Sequence, residues 1–376
     1  MVYEWFLIAL PVVFLAGWFA ARLDIRHIRK SAGELPRAYL RGLSHLLRGE
    51  KNRALDSFLR ARTLDPESDE LRFAIGELSR VRGEHRRALG VHLELCGPDA
   101  TTPANRTRAI WELALDYQQM GFFDLAEKHA ALLEDEEEYR ERAGDMLLNI
   151  RQRARDYERA LEVLDKMPVA AALLRRKTRA HLLCECALRQ GGENPDKKRA
   201  FLDTALEADG RCARAGILLG DAAAAAGKFA DAAAHYAACE RQNTDYLWRA
   251  TPGIIAAFES RNMTDAGCEK ARGWLDAYPS APLFAAVYRQ LAARGRAGEM
   301  AQDGVRRGFG ATAAAAWAEE QLSRSEDSRR DFWRALEKTL SASGWRCDNC
   351  GYKTEDFVWQ CHNCLSWESF RYAPQV

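Results

Sequence analysis

The chain is poor in several things. Only 11 of its 376 residues are proline and 26 are glycine, too few for a collagen-like chain or a long disordered one. Ten cysteines are too few for a disulfide-built secreted scaffold of this length. Neither sign of charge prevails. The 55 basic and 54 acidic residues leave a net charge of +1, which excludes phosphate binding over the whole surface and leaves only a local basic patch open. The patterns H-E-x-x-H and G-x-S-x-G are absent, and the eight histidines are scattered. The glycine pair in GDAAAAAGKF (220–229) encloses six residues where a phosphate loop needs four. Phe229 stands where a hydroxyl would hold magnesium. What is there is material for one large core or several small ones, at 47% apolar residues.

Residues 5–21, WFLIALPVVFLAGWFAA, form a run of 17 without a charge. As a helix they cover about 25 Å, near the lower limit for a membrane span. Tyr3, Trp5 and Trp18 sit near its ends, where amphipathic rings prefer lipid headgroups. Pro11 would cost several kcal/mol in a soluble helix and is tolerated in lipid. Only Glu4 precedes the run, whereas Arg22, Arg26, Arg29 and Lys30 follow it with Asp24 among them. The positive-inside rule places this downstream side in the cytoplasm. The expectation is a transmembrane anchor over 1–22, a juxtamembrane linker over 23–35 and a single-pass protein with its bulk on the cytoplasmic side. A cleaved secretory signal is the competing reading, but such signals carry a basic region before the apolar run. In a reducing compartment Cys96, Cys184, Cys186, Cys212, Cys239 and Cys268 are expected as free thiols. Cys184 and Cys186, two apart on a helix, point about 200° apart, which suits packing and not ligation.

The middle repeats itself. Gly49 and Gly83 are 34 apart, as are Ala54 and Ala88. Small or anchoring residues recur at positions 54, 88, 126, 160, 200, 232, 267 and 300. Glycine suits the turn of the unit, as at Gly49, Gly83, Gly121 and Gly227, where positive φ costs it nothing. Ala54, Leu55, Phe58 and Leu59 fall on one helical stripe. Pro66 and Pro279 follow the anchors Ala54 and Gly267 by the same interval, where they stop a helix. The reading is antiparallel helix pairs over 36–340, resembling the tetratricopeptide repeat, with inserts expected at TTPANRT (101–107) and GGENPD (191–196). Such units bury their apolar faces only by stacking, and such arrays bind peptides or protein partners. A generic helical bundle with accidental periodicity is the blander alternative. The acidic run 134–138 reads as a solvated loop. Residues 313–340 read as one or two closing helices.

Cys347, Cys350, Cys361 and Cys364 crowd together near the C-terminus with the spacing C-x2-C-x10-C-x2-C. Two residues between thiolates let both sulfurs face one tetrahedral ion. Gly351 suits the permissive turn after the first pair. Four thiolates leave no open position for water, so the set argues for structure and not hydrolysis, and both zinc and iron suit it. A redox dithiol would use one C-x-x-C, not two in tandem. About 30 residues cannot hold a core of their own, so the ion must supply folding energy. Trp345, Tyr352, Phe357, Trp359, Trp367 and Phe370 are expected to cover the metal and to pack the knuckle on the final helices. A nucleic-acid-binding ribbon is disfavoured, since Arg346, Lys353 and Arg371 are outnumbered by Asp348, Glu355, Asp356 and Glu368.

Anchor, repeat array and the tail W-R-C-x-x-C-G…W-x-C-x-x-C-x-x-W together resemble the lipopolysaccharide assembly protein B family. The specific part is the rubredoxin-like tail at 345–372, matched at Arg346, Cys347, Cys350, Gly351, Trp359, Cys361, Cys364 and Trp367. His362 stands where the family commonly has proline. The resemblance implies a mainly α protein of the inner membrane, without catalytic activity, holding one structural zinc or iron ion. It implies an adaptor that helps a membrane AAA+ protease degrade the deacetylase committing precursors to lipid A. It also implies opposition by an inner-membrane lipopolysaccharide sensor. The alternative is a membrane-tethered, rubredoxin-type electron carrier, since iron in four thiolates is redox-active.

Overall fold

The computed structural model describes residues 18, 37–97, 102–190, 194–324 and 343–374. The expected anchor, Trp18 apart, the linker and the sequence 331–340 lie outside the described residues. Among those described, no helix is long and apolar enough to cross a membrane. The chain divides into two units, residues 1–150 and 151–376.

The first unit contains α1 (residues 37–47), α2 (Lys51–Leu64), α3 (Asp69–Arg82), α4 (His85–Leu95), α5 (Pro103–Gln119), α6 (Phe123–Ala131) and α7 (Arg140–Arg153), within which the division falls. The turns use the expected glycines: Gly49, Gly83 and Gly121 have φ of 74°, 87° and 79°. Their absent Cβ removes the left-handed penalty of about 1–2 kcal/mol. In α2 the buried set is Ala54, Leu55, Phe58 and Ala61, a stripe at i, i+1, i+4 and i+7 that meets Leu71, Phe73 and Ile75 of α3. A polar cluster is buried beside this core. Arg80 reaches both Glu112 and Asp116, and His92 Nδ1 lies 2.6 Å from Asp116.

The second unit continues with α8 (Tyr157–Lys166), α9 (Val169–Leu174), α10 (Arg176–Arg189), α11 (Pro195–Ala208), α12 (Ala213–Ala225) and α13 (Phe229–Gln242). Then follow α14 (Leu247–Glu259), α15 (Thr264–Ala277), α16 (Ala281–Ala292), α17 (Met300–Arg306) and α18 (Gly310–Arg324). The stripe recurs as Ala232, Ala233, Tyr236 and Cys239 in α13, and as Gly267, Cys268, Ala271 and Trp274 in α15. The chain ends in a three-stranded antiparallel sheet of β1 (Ser343–Cys347), β2 (Lys353–Thr354) and β3 (Phe370–Pro374), in the order β2-β1-β3.

Three details of the repeat reading change. The anchor of the fifth unit is not Ala200, which is exposed; Leu202 and Ala205 are the fully buried residues of α11. Counting the stripe back from them puts the anchor at Lys198, whose long side chain is half-buried. Most of TTPANRT is helical and not a loop: Thr102 caps α5, and its hydroxyl accepts from Asn105 N–H. The extra residues lengthen α5 to 17 residues. Extra length in the following unit is taken up by α9, a short helix over VAAALL. Two turns also dispense with glycine, placing Arg155 and Asn262 at φ of 56° and 58°.

Candidate metal centre

Each cysteine pair sits on a tight turn. Gly351 N–H donates to Cys347 O at 2.8 Å, and Leu365 N–H donates to Cys361 O at 2.9 Å. The residue after each second cysteine is left-handed, Gly351 at φ 75° and Leu365 at φ 60°. The two turns are therefore the same device, with glycine in one and a strained leucine in the other. This geometry turns backbone N–H groups onto sulfur: those of Asn349 and Cys350 onto Cys347, and those of Asn363 and Cys364 onto Cys361. The sheet fixes how the turns face each other, because β1 ends at Cys347 directly opposite Phe370 of β3.

All four sulfurs lie within 4.8 Å of one another. Cys347 and Cys364 are 3.7 Å apart, and Cys350 and Cys361 are 3.6 Å apart. A tetrahedral ion bonded to sulfur at about 2.3 Å requires sulfur–sulfur edges of about 3.8 Å. A disulfide requires about 2.0 Å, and all four thiols are free. The donor set therefore fits one ion. Burial raises the Cys347 thiol, but hydrogen bonding with Ser369 and the turn N–H groups outweighs it and lowers the pKa. Burial likewise opposes Ser366 and Asn349 at Cys364, where the hydrogen bonds win and bring it to about 6. At Cys361 burial prevails and pushes the thiol up to about 12. An ion in place of the shared protons satisfies all four at once. With every ligand supplied by the chain, the bound ion would act as a cross-link between the two turns.

Within the second unit the aromatic residues pack this module on helices α10, α12 and α14, while residues 325–340 of the expected closing helices lie outside the described residues. Trp367 stacks on the fully buried His181 of α10, with centroids 4.8 Å apart and planes within 3°. Trp359 packs on Tyr246, and Trp345 and Phe357 close on Trp248 of α14. The Arg214 guanidinium of α12 faces the rings of Trp359 and Trp367. Thr312 of α18 lies 2.9 Å from the Tyr372 hydroxyl, and Trp317 of α18 packs on the same core as Phe357 and Trp359. Polar groups fix the register. Gln152 Oε1 accepts from both Trp367 Nε1 and Gln360 Nε2, at 3.0 and 2.9 Å. Glu368 lies 3.2 Å from His181 Nε2 and 3.3 Å from Lys177 Nζ. Burial lowers the pKa of His181 more than the Glu368 carboxylate raises it. Burial alone would raise Glu368, but His181 and Lys177 hold its carboxyl below the usual range.

The structure thus brings together all four cysteines named from spacing. It adds Gln152, Lys177, His181, Arg214 and Glu368. Spacing does not reveal the first four because they stand on helices far upstream in the chain, and Glu368 belongs to no local motif. Cys184 and Cys186 are buried packing residues and free thiols. Tyr352 is exposed.

A closed four-sulfur site between two turns of a small sheet, docked on paired helices, defines a rubredoxin-type metal-binding module on a helical-repeat scaffold. Residues 345–371 match the family described as the rubredoxin metal binding domain. Over its length the chain is similar to lipopolysaccharide assembly protein B of Haemophilus influenzae, 26% identical over 400 residues covering 98% of each chain. It is 25% identical to the Escherichia coli K12 protein of the same name over 394 residues, covering 98% of this chain and 97% of the relative. Among solved structures, the helices align with a tetratricopeptide repeat protein from Parabacteroides merdae at 13% identity and a TM-score of 0.27, covering 82% of this chain and 99% of that one.

Proposed function

We propose that the chain is a membrane-tethered, non-enzymatic adaptor in the regulation of lipopolysaccharide assembly. The observation that carries this reading is the similarity to lipopolysaccharide assembly protein B, which spans 98% of this chain and 97–98% of its two relatives. The metal centre agrees with it: four thiolates give a structural cross-link and leave no position for a reacting water. The helical repeats supply faces for protein partners. The uncharged run 5–21, followed by Arg22, Arg26, Arg29 and Lys30, supports a single inner-membrane span with the repeats on the cytoplasmic side. In this reading the adaptor promotes degradation of the lipid A-committing deacetylase by a membrane AAA+ protease, and an inner-membrane lipopolysaccharide sensor opposes it. Depletion of the protein in its host, followed by immunoblotting of the deacetylase after translation is stopped, tests this. A lengthened deacetylase half-life is expected, and an unchanged one rejects the regulatory role.

One observation keeps the electron-carrier reading in view: the ligand residue Cys350 is exposed. Elemental analysis and absorption spectroscopy of freshly purified protein separate the two. Colourless, zinc-filled protein excludes electron transfer.

A further inference from the structure

The free end of a repeat array ordinarily carries a polar outer face, because no neighbour covers it. Helix α1 is the first described helix of the first unit, and its outer side is apolar. One side is committed to the unit. Gly42 rides directly on Phe58, where a Cβ would come within 2.5–2.8 Å of the ring, and Ala38 packs against the same core. The other side presents Leu40, Leu43 and Leu47 at i, i+3 and i+7, exposed to 62%, 38% and 90%. Three leucines on one stripe of a packed helix are a continuous apolar strip, not the scattered exposure normal for a surface. Beside that strip, at i, i+4 and i+11, stand Arg37, Arg41 and Arg48, all exposed and without an ion-pair partner among the described residues.

Leucines flanked by a row of arginines are the profile of a helix lying in the plane of a bilayer surface, apolar stripe in the acyl boundary and cations among the headgroups. Two features of the sequence favour a lipid surface over a protein groove. The basic residues Arg22, Arg26, Arg29 and Lys30 outnumber Asp24 and Glu34 in the stretch before α1, extending one sign of charge up to the helix. The 16 steps from Ala21 to Arg37 span at most roughly 55 Å fully extended, so an inserted run would keep α1 close to the membrane. We propose that α1 is a second membrane contact, an interfacial helix that lays the first repeat on an anionic phospholipid surface through Leu40, Leu43 and Leu47. This rests on the membrane reading of residues 5–21, and it adds orientation to what an anchor alone would supply.

The test uses the full chain with p-benzoylphenylalanine in place of Leu47, mixed with vesicles of phosphatidylcholine containing one third phosphatidylglycerol. After irradiation, adducts are identified by mass spectrometry, and an alkaline carbonate wash separately reports insertion. A phospholipid adduct is expected, at least about threefold weaker on pure phosphatidylcholine and at least about tenfold weaker after R37E/R41E/R48E. The same label in place of Asp56, exposed on α2, should give about a tenth of the yield. An adduct to a second copy of the chain, no adduct, or equal yields at the two positions overturns the proposal. Extraction of the chain by carbonate sinks the anchor alone, because the adduct at position 47 is read independently of it.

Discussion

The helical repeats and the metal module are held together in opposite ways. In the repeats, stability is spread over many equivalent positions. Ala232, Ala233, Tyr236 and Cys239 of α13 do for their helix what Gly267, Cys268, Ala271 and Trp274 do for α15. In the module a small cluster of Cys347, Cys361 and Phe370 is buried, and two of those three are ligands. Such a cluster cannot offset the ordering of about 30 residues, so the module depends on one ion and on its dock. Both regions hold a left-handed residue other than glycine, Arg155 in the repeats and Leu365 in the module, but only the module rests on a single point.

Removing the ion should have the largest effect. The ion supplies on the order of 10 kcal/mol of folding free energy, so chelation, or Cys347→Ser, should melt β1–β3 and leave most far-ultraviolet helicity in place. Circular dichroism with elemental analysis checks this, and a metal-free chain with an intact sheet would contradict the comparison. A large truncation in the repeats should cost less. Trp274, almost fully buried in α15, should lose about 3–5 kcal/mol on change to alanine, read as a lowered unfolding midpoint in urea.

The dock should respond to acid. His181 has its pKa lowered in the fold, so the unfolded chain takes up a proton first as pH falls below about 6.5. Its contribution is therefore fully present above that pH and is lost on acidification. Glu368, also depressed, adds a second loss below about 4.5. Thermal unfolding followed by tryptophan fluorescence should show a midpoint falling between pH 6.5 and 5. His181→Phe, which keeps a ring against Trp367, should flatten that slope. The smallest effect tests the two cysteine turns against each other. Gly351→Ala should cost about 1 kcal/mol at its positive φ, whereas Leu365→Gly should recover a similar amount less the value of the half-buried leucine side chain. Metal-release rates under a chelator would rank them.

Much of this was legible in the residues, and what was not has physical causes. The cysteine spacing gave all four candidate ligands, because two residues between thiolates is a local geometric requirement. Gly49, Gly83, Gly121 and Gly227 marked turns, and each has positive φ. Register was harder in α11. Ala200 looked like an anchor because it is small, but the flanking Leu202 and Ala205 set the face, and half-buried Lys198 occupies the anchor position. Helix α9 escaped notice because VAAALL has no period long enough to read. The dock was invisible for a different reason. Nothing near Gln152 or His181 announces partners at the far end of the chain, and the acid at position 368 looks like any surface glutamate until the fold buries it.

The order of synthesis gives the dock a consequence in time. Trp248, an aromatic of the receiving surface, precedes Ser343 by 95 residues (343 minus 248). At translation speeds of about 5–20 residues per second, the ribosome needs roughly 5–20 s to cover that distance. During this interval the nascent helices hold an uncovered aromatic and histidine surface, open to chaperones or to misassembly. Metal capture comes later still, so supply of the ion sets when a newly made molecule is sealed.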